Sequence, residues 1–176
     1  MSQKKTERVT IPEYPFFMWG TYEEQTKVKH KVVSEYFDKW LKIVGKNSEV
    51  LYVDCFAGCG AYCGDDGRAE YGSPIKAAQI IKDNFSKLGR QARLILIDRD
   101  PDNLGNIKKI LEYLQLEVEC ILMPGDYENN IISILSGAYG KLPTFFFVDP
   151  FGFKIKFSII EKVNNPVAKA RGLQWR

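Results

Sequence analysis

The sequence predicts one α/β domain built on a doubly wound parallel sheet, and three observations carry that expectation. Four short, nearly continuous apolar runs, Val50 to Val53, Ala92 to Ile97, Val118 to Met123 and Thr144 to Val148, read as strands buried on both faces. Segments with helical spacing lie between them, and strand alternating with helix implies parallel crossover units. The length, 176 residues, falls within the roughly 100–200 residues of a single domain and excludes two full catalytic domains.

Residues 1–20 mix charge, Pro12, Pro15 and the cluster Phe16-Phe17-Met18-Trp19, and read as an irregular arm that docks by its aromatic end. Thr21 and Glu24 form a capping-box pattern. Val28, Val32, Val33, Tyr36, Phe37, Trp40, Leu41 and Val44 then recur at helical spacing up to Gly45, one amphipathic helix of about six turns. Later helices are expected at Pro74 to Asn84, with Ser73 as N-cap, and at Asp102 to Leu114, Tyr127 to Leu135 and Lys156 to Val163. The Gly-, Asp- and Tyr-rich stretch Ala61 to Gly72 is an unusually long link, and long links are more often functional than idle. The domain body is thus residues 21–163, with a basic tail at 164–176.

Composition narrows the function classes. No apolar run approaches the roughly 18 residues that span a bilayer, and the first ten residues have no signal-peptide core, so a soluble, cytoplasmic chain is expected. Residues 51–150 carry 10 Lys/Arg against 14 Asp/Glu, whereas residues 151–176 carry 6 against 1. An acidic middle with a basic tail is unlike a nucleic-acid coat, although a nucleic-acid substrate stays open. Cys55, Cys59 and Cys63 stand at C-x3-C-x3-C, which matches neither a paired zinc site nor a radical-enzyme spacing, and His30 lies far off on the first helix. Incidental small residues in a tight loop are the expectation, with no metal.

In an open parallel sheet the ligand sits beyond the carboxyl ends of the strands. There the first strand runs into Asp54-Cys55-Phe56-Ala57-Gly58-Cys59-Gly60, the second ends at Asp98, the third leads to Pro124-Gly125-Asp126, and the fourth ends Asp149-Pro150-Phe151-Gly152. Gly58 and Gly60 allow a sharp turn and close approach to a ligand, or a purely structural turn; Cys63 replaces the third glycine of a dinucleotide loop. Asp98 can accept hydrogen bonds from both hydroxyls of a ribose, or serve as a capping acid. Asp126 can accept from an adenine amine, or cap the helix at Tyr127. Asp54 would repel a pyrophosphate and no Lys comes after the glycines, so a nucleoside with a cationic centre fits better, and S-adenosylmethionine is such a ligand. Asp149-Pro150-Phe151-Gly152 resembles the acceptor turn of amino-methyltransferases but lacks the second proline of its usual form; in that turn the polar oxygen holds the acceptor amine and the aromatic stacks on it, and a proline-ended strand is the bland alternative. Methyl transfer is an in-line displacement in which positioning supplies most of the catalysis.

Together with Lys29-His30, Tyr36 to Trp40, Asp54 to Tyr62 and Gly72-Ser73-Pro74, the Phe147 to Gly152 segment resembles the three-Cys-motif partner family (TcmP), within the class I S-adenosylmethionine-dependent methyltransferases. The family name refers to cysteines of a partner protein. The resemblance implies a Rossmann-like sheet of strand order 3-2-1-4 and cofactor contacts on Asp54, Phe56, Ala57, Gly58, Gly60, Asp98 and Asp126. It also implies an acceptor turn on Asp149, Pro150 and Phe151, and a three-Cys-motif partner. The acceptor stays open among a base amino nitrogen, a protein amine and a small molecule. Such sheets usually continue after this turn, whereas residues 164–176 contain no strand-like run. An incomplete domain is therefore expected, with the fourth strand as an edge open to a second copy. A non-catalytic module acting with a partner, and an NAD-dependent oxidoreductase, are the competing readings.

Overall fold

The apolar run that begins at Val50 forms the axis of the domain. A computed structural model describes residues 7–20, 22–88 and 91–150. Its strands are β1 (Arg8–Thr10), β2 (Phe17–Trp19), β3 (Val50–Asp54), β4 (Ala61–Cys63), β5 (Ala69–Tyr71), β6 (Ala92–Asp98), β7 (Glu119–Pro124) and β8 (Thr144–Phe147). The helices are α1 (Glu24–Val44), α2 (Ser73–Asn84), α3 (Pro101–Tyr113) and α4 (Tyr127–Ser136).

The main sheet has the order β7-β6-β3-β8, all parallel, which is the expected 3-2-1-4 arrangement of the four apolar runs. Alternation along the strands divides the core in two. Val50, Tyr52, Leu94 and Leu96 face a cluster with Phe37 and Leu41 of α1, Ile75 and Ile81 of α2, and Ile107 and Ile110 of α3. Leu51, Val53, Ile95 and Ile97 face Tyr127, Ile131 and Ile134 of α4. Helices thus cover both faces, and that is why the strands are continuous apolar runs in the sequence. No helix among the described residues is long and apolar enough to cross a membrane.

The arm and the long link differ from expectation. Residues 8–10 and 17–19 are not irregular: β1 and β2 pair antiparallel, β2 meets β4 at Trp19↔Tyr62, and β4 pairs with β5, forming a second four-stranded sheet. Burial of Phe16 and Met18 drives the docking. The Asn106 side chain of α3 closes the backbone of Phe17, accepting from its N–H at 2.9 Å and donating to its carbonyl at 2.8 Å. The link between Ala61 and Gly72 is largely the β4–β5 hairpin, turned at Gly64–Gly67.

Two helix starts also differ. The N-cap of α1 is Glu23, in extended conformation and without a side-chain cap bond, so Glu24 opens the helix rather than completing a box; Thr21 lies outside the described residues. Tyr22, buried and bonded to His30 at 2.8 Å, anchors the chain just before the helix. The inward face of α1 carries His30, Phe37 and Leu41, whereas Val28, Val32 and Tyr36, expected on it, are exposed. In α2 the N-cap is Gly72, because the Ser73 hydroxyl is engaged by Asp54. Asp100 and Asp126 cap α3 and α4 by accepting from the N–H groups of Asp102 and Glu128. The expected helix Lys156 to Val163, the tail and Phe151 lie outside the described residues.

Candidate functional site

The carboxyl end of the sheet gathers most of the residues singled out in the sequence. Asp54 ends β3 with no solvent exposure. Its Oδ1 accepts from the Phe56 N–H at 3.2 Å and its Oδ2 from the Ser73 hydroxyl at 2.6 Å. Burial pushes its carboxyl up to about 7, against the pull of those two bonds and with help from the neighbouring charges of Asp149 and Asp98. Among the described residues no basic side chain forms an ion pair with it. A buried carboxylate flanked by two others and lacking a cation is costly on its own.

The loop after Asp54 turns where glycine is required. Gly58 has φ +62° and Gly60 φ +86°. A Cβ on Gly58 would stand 2.7 Å from the Trp19 ring, and one on Gly60 2.9 Å from Ile107. Ala57 is tied to the sheet by its N–H to the Ile97 carbonyl at 2.9 Å, and Phe56 packs on Tyr127 at 4.8 Å between centroids. The glycine loop and the end of β6 are joined directly: the Gly58 N–H donates to Asp98 Oδ2 at 2.9 Å, while Asp98 Oδ1 accepts from the Asp100 N–H and from Asn103 Nδ2. Asp98 therefore shapes the loop, from the strand end at which a ribose was expected. A carboxylate has about four acceptor positions, and three are filled.

Asp126 performs the capping role that its sequence position allowed. It caps α4 and pairs with Arg99 at 2.7 Å, which holds its carboxyl below the usual range. Both of its oxygens are thus engaged, so the cap is the role with geometry behind it.

On the β8 side, Asp149 accepts from Lys29 Nζ with both oxygens, at 2.9 and 2.6 Å, across 120 residues of sequence. Pro150 is the last described residue. Next to Lys29, His30 is not remote, as its place in the sequence suggested: it is buried, its ring packs edge-on against Phe147 of β8 and tilts against Tyr62, and its Nδ1 meets the Tyr22 hydroxyl. Lys76 Nζ donates to that hydroxyl at 3.0 Å, and the Tyr71 carbonyl lies 3.5 Å from it as a second acceptor for its proton. Burial, then the Lys76 charge, lowers the imidazole to about 4, and it stays neutral at physiological pH. Tyr22 and Tyr62 stack at 4.2 Å. An open groove of about 480 Å³ between α1, α2 and β5 shares Tyr22 and Lys76 with this network, but Asp54, Asp98 and Asp149 do not line it.

Tyr22 and Lys76 carried no signal in the sequence. Ser73 stood out as an expected cap and through the family resemblance, Tyr62 and Lys29 through the resemblance, and His30 through the resemblance and as a histidine far from the cysteines. The cysteines are packing groups. Cys55 lies in the α4-side core, Cys59 donates to the Ala61 carbonyl at 3.1 Å, and burial pushes both thiols up, that of Cys59 to about 11. Among the described residues no group of three or more His, Cys, Asp or Glu could hold a metal ion.

No family model and no curated protein matches the chain. Among solved structures it is similar to one described as "Putative methyltransferase yhhF from Escherichia coli", with 17% identity and a TM-score of 0.46, over 90% of this chain and 74% of that one.

Proposed function

We propose that this domain binds S-adenosylmethionine at the carboxyl ends of β3 and β6 and transfers its methyl group to an amino nitrogen held at Asp149. The observation that carries the reading is Asp54: a fully buried carboxylate, unpaired by any cation among the described residues, beside a loop that turns on two positive-φ glycines. Asp98 and Asp149 deepen the negative field around it. Such a site favours a cation over a pyrophosphate, which sets S-adenosylmethionine ahead of NAD.

When bound, the cofactor supplies a methyl group on a sulfonium, a leaving group that needs no protonation. Asp54 would balance the positive end of the ligand, held ready by Ser73. The free acceptor position of Asp98 would take a ribose hydroxyl. Phe56, Ala57 and the glycines would form the wall of the nucleoside side, and Asp149 with Pro150 would orient the acceptor amine so that its lone pair points at the methyl carbon. That catalysis is positional, and no side chain is required as nucleophile. The motif resemblance to the three-Cys-motif partner family supports joint action with a partner protein; a nucleic-acid base is one candidate acceptor.

One observation favours a second reading, a non-catalytic cofactor-binding module: Asp149 is already paired by Lys29. Isothermal calorimetry with S-adenosylmethionine, S-adenosylhomocysteine and NAD tests the leading reading. We expect saturable binding of the first two and none of NAD. NAD binding without S-adenosylmethionine binding overturns it.

A further inference from the structure

We infer that Lys29 is itself a methyl acceptor, a self-modification site built into α1; the inference rests on the S-adenosylmethionine reading above. An amino-methyltransferase turn presents its carboxylate to an amine. In this fold the amine is already there: Lys29 Nζ donates to both oxygens of Asp149 at 2.9 and 2.6 Å. Asp149 lies two residues beyond Phe147, which is the register partner of Asp54, and its charge is felt by Asp54. The Lys29 amine is therefore held at the carboxyl end of the sheet, just past the paired strands β3 and β8.

Two features aim it there. His30, the next residue, is fixed among Tyr22, Tyr62 and Phe147, so the helix cannot rotate Lys29 away from β8 without unpacking a buried ring. Lys29 itself is not locked. Its side chain is 42% exposed, that of Asp149 is 29% exposed, and a four-carbon stem with three donors can advance while keeping one bond to the carboxylate. A structural ion pair would gain little at this exposure, whereas an acceptor must be both held and free to move.

The chemistry closes without a further reagent. Nζ gives one proton to the Asp149 carboxylate, which passes it to water. The freed lone pair forms a bond to the methyl carbon of S-adenosylmethionine, the carbon–sulfur bond breaks with its electrons remaining on sulfur, and the products are S-adenosylhomocysteine and N-methyl-Lys29. Because only the unprotonated amine has a lone pair to donate, the rate rises with pH. The acceptor class this assigns is a primary aliphatic amine.

The test incubates the full chain with methyl-labelled S-adenosylmethionine and maps the label by mass spectrometry, with calorimetry of the same preparation reporting cofactor binding. One label per chain, on the peptide containing Lys29, at a rate that rises with pH, is the expected result. Asp149→Ala should slow it by about 100-fold through lost positioning, and the isosteric Asp149→Asn should slow it as well; Lys29→Arg should remove it. Cofactor binding without label on Lys29, or labelling as fast in both Asp149 variants, overturns the inference and leaves the proposed function standing. Absence of cofactor binding overturns both.

Discussion

In the proposed function, Asp54 would link ligand binding to pH through a single proton. Its folded value, about 7, stands above the ordinary carboxylate value of 3.8. The folded state thus holds this proton more tightly than the unfolded chain, and the stability it contributes is full below about pH 4 and lost as pH rises through about 7. Asp54→Asn should therefore stabilise the protein at pH 8, by roughly 2–4 kcal/mol in urea unfolding, and change it little at pH 4. Binding runs the other way. A cation needs the carboxylate, so as pH rises toward 7 the affinity for S-adenosylmethionine should strengthen by up to about tenfold per pH unit and then level off, with proton release on binding at pH 6. In Asp54→Asn that dependence should vanish. Calorimetry in buffers of different ionisation enthalpy reads both effects. Ser73→Ala removes the 2.6 Å bond that holds the carboxyl down, so the break in the affinity curve should move to higher pH.

Among the elements, the glycine loop and the segment laid against it stand or fall together. Gly60→Ala forces a positive φ on a side chain and drives its Cβ to 2.9 Å from Ile107. A loss of about 1–3 kcal/mol in urea unfolding is expected, with weaker cofactor binding. Asn106→Leu keeps the branched heavy-atom shape and removes three bonds, to the Phe17 N–H, the Phe17 carbonyl and the buried Cys59 carbonyl. Orphaning these groups should cost about 2–4 kcal/mol, and limited proteolysis should then cut the arm before any other segment. An unchanged unfolding midpoint would remove Asn106 from this role. The same elements explain where legibility in the sequence stops. β1, β2, β4 and β5 are three residues each, too short to display a period, and their pairing is non-local, with Trp19 meeting Tyr62. The longer apolar runs of β3, β6, β7 and β8 were legible because helices cover both faces of their sheet, and α4 because Asp126 starts it.

At the scale of the whole molecule, the legible part of the candidate site lies just past the strand ends: Asp54, Gly58, Gly60, Asp98 and Asp149 all stand at one end of the sheet. Which residues pair with them was not legible. Ser73, Lys29 and His30 reach the site through α1 and α2, and the bond from Lys29 spans most of the chain, a distance over which spacing carries no information. Among the described residues β8 pairs on one side only, with β3. Finally, the amide of Asn106 grips the arm on one side and the Cys59 carbonyl of the glycine loop on the other. A ligand that stiffens the loop must then stiffen a strand on the second sheet. The Phe17 amide, which touches no proposed ligand contact, becomes a built-in gauge: its hydrogen exchange should slow when the crevice fills.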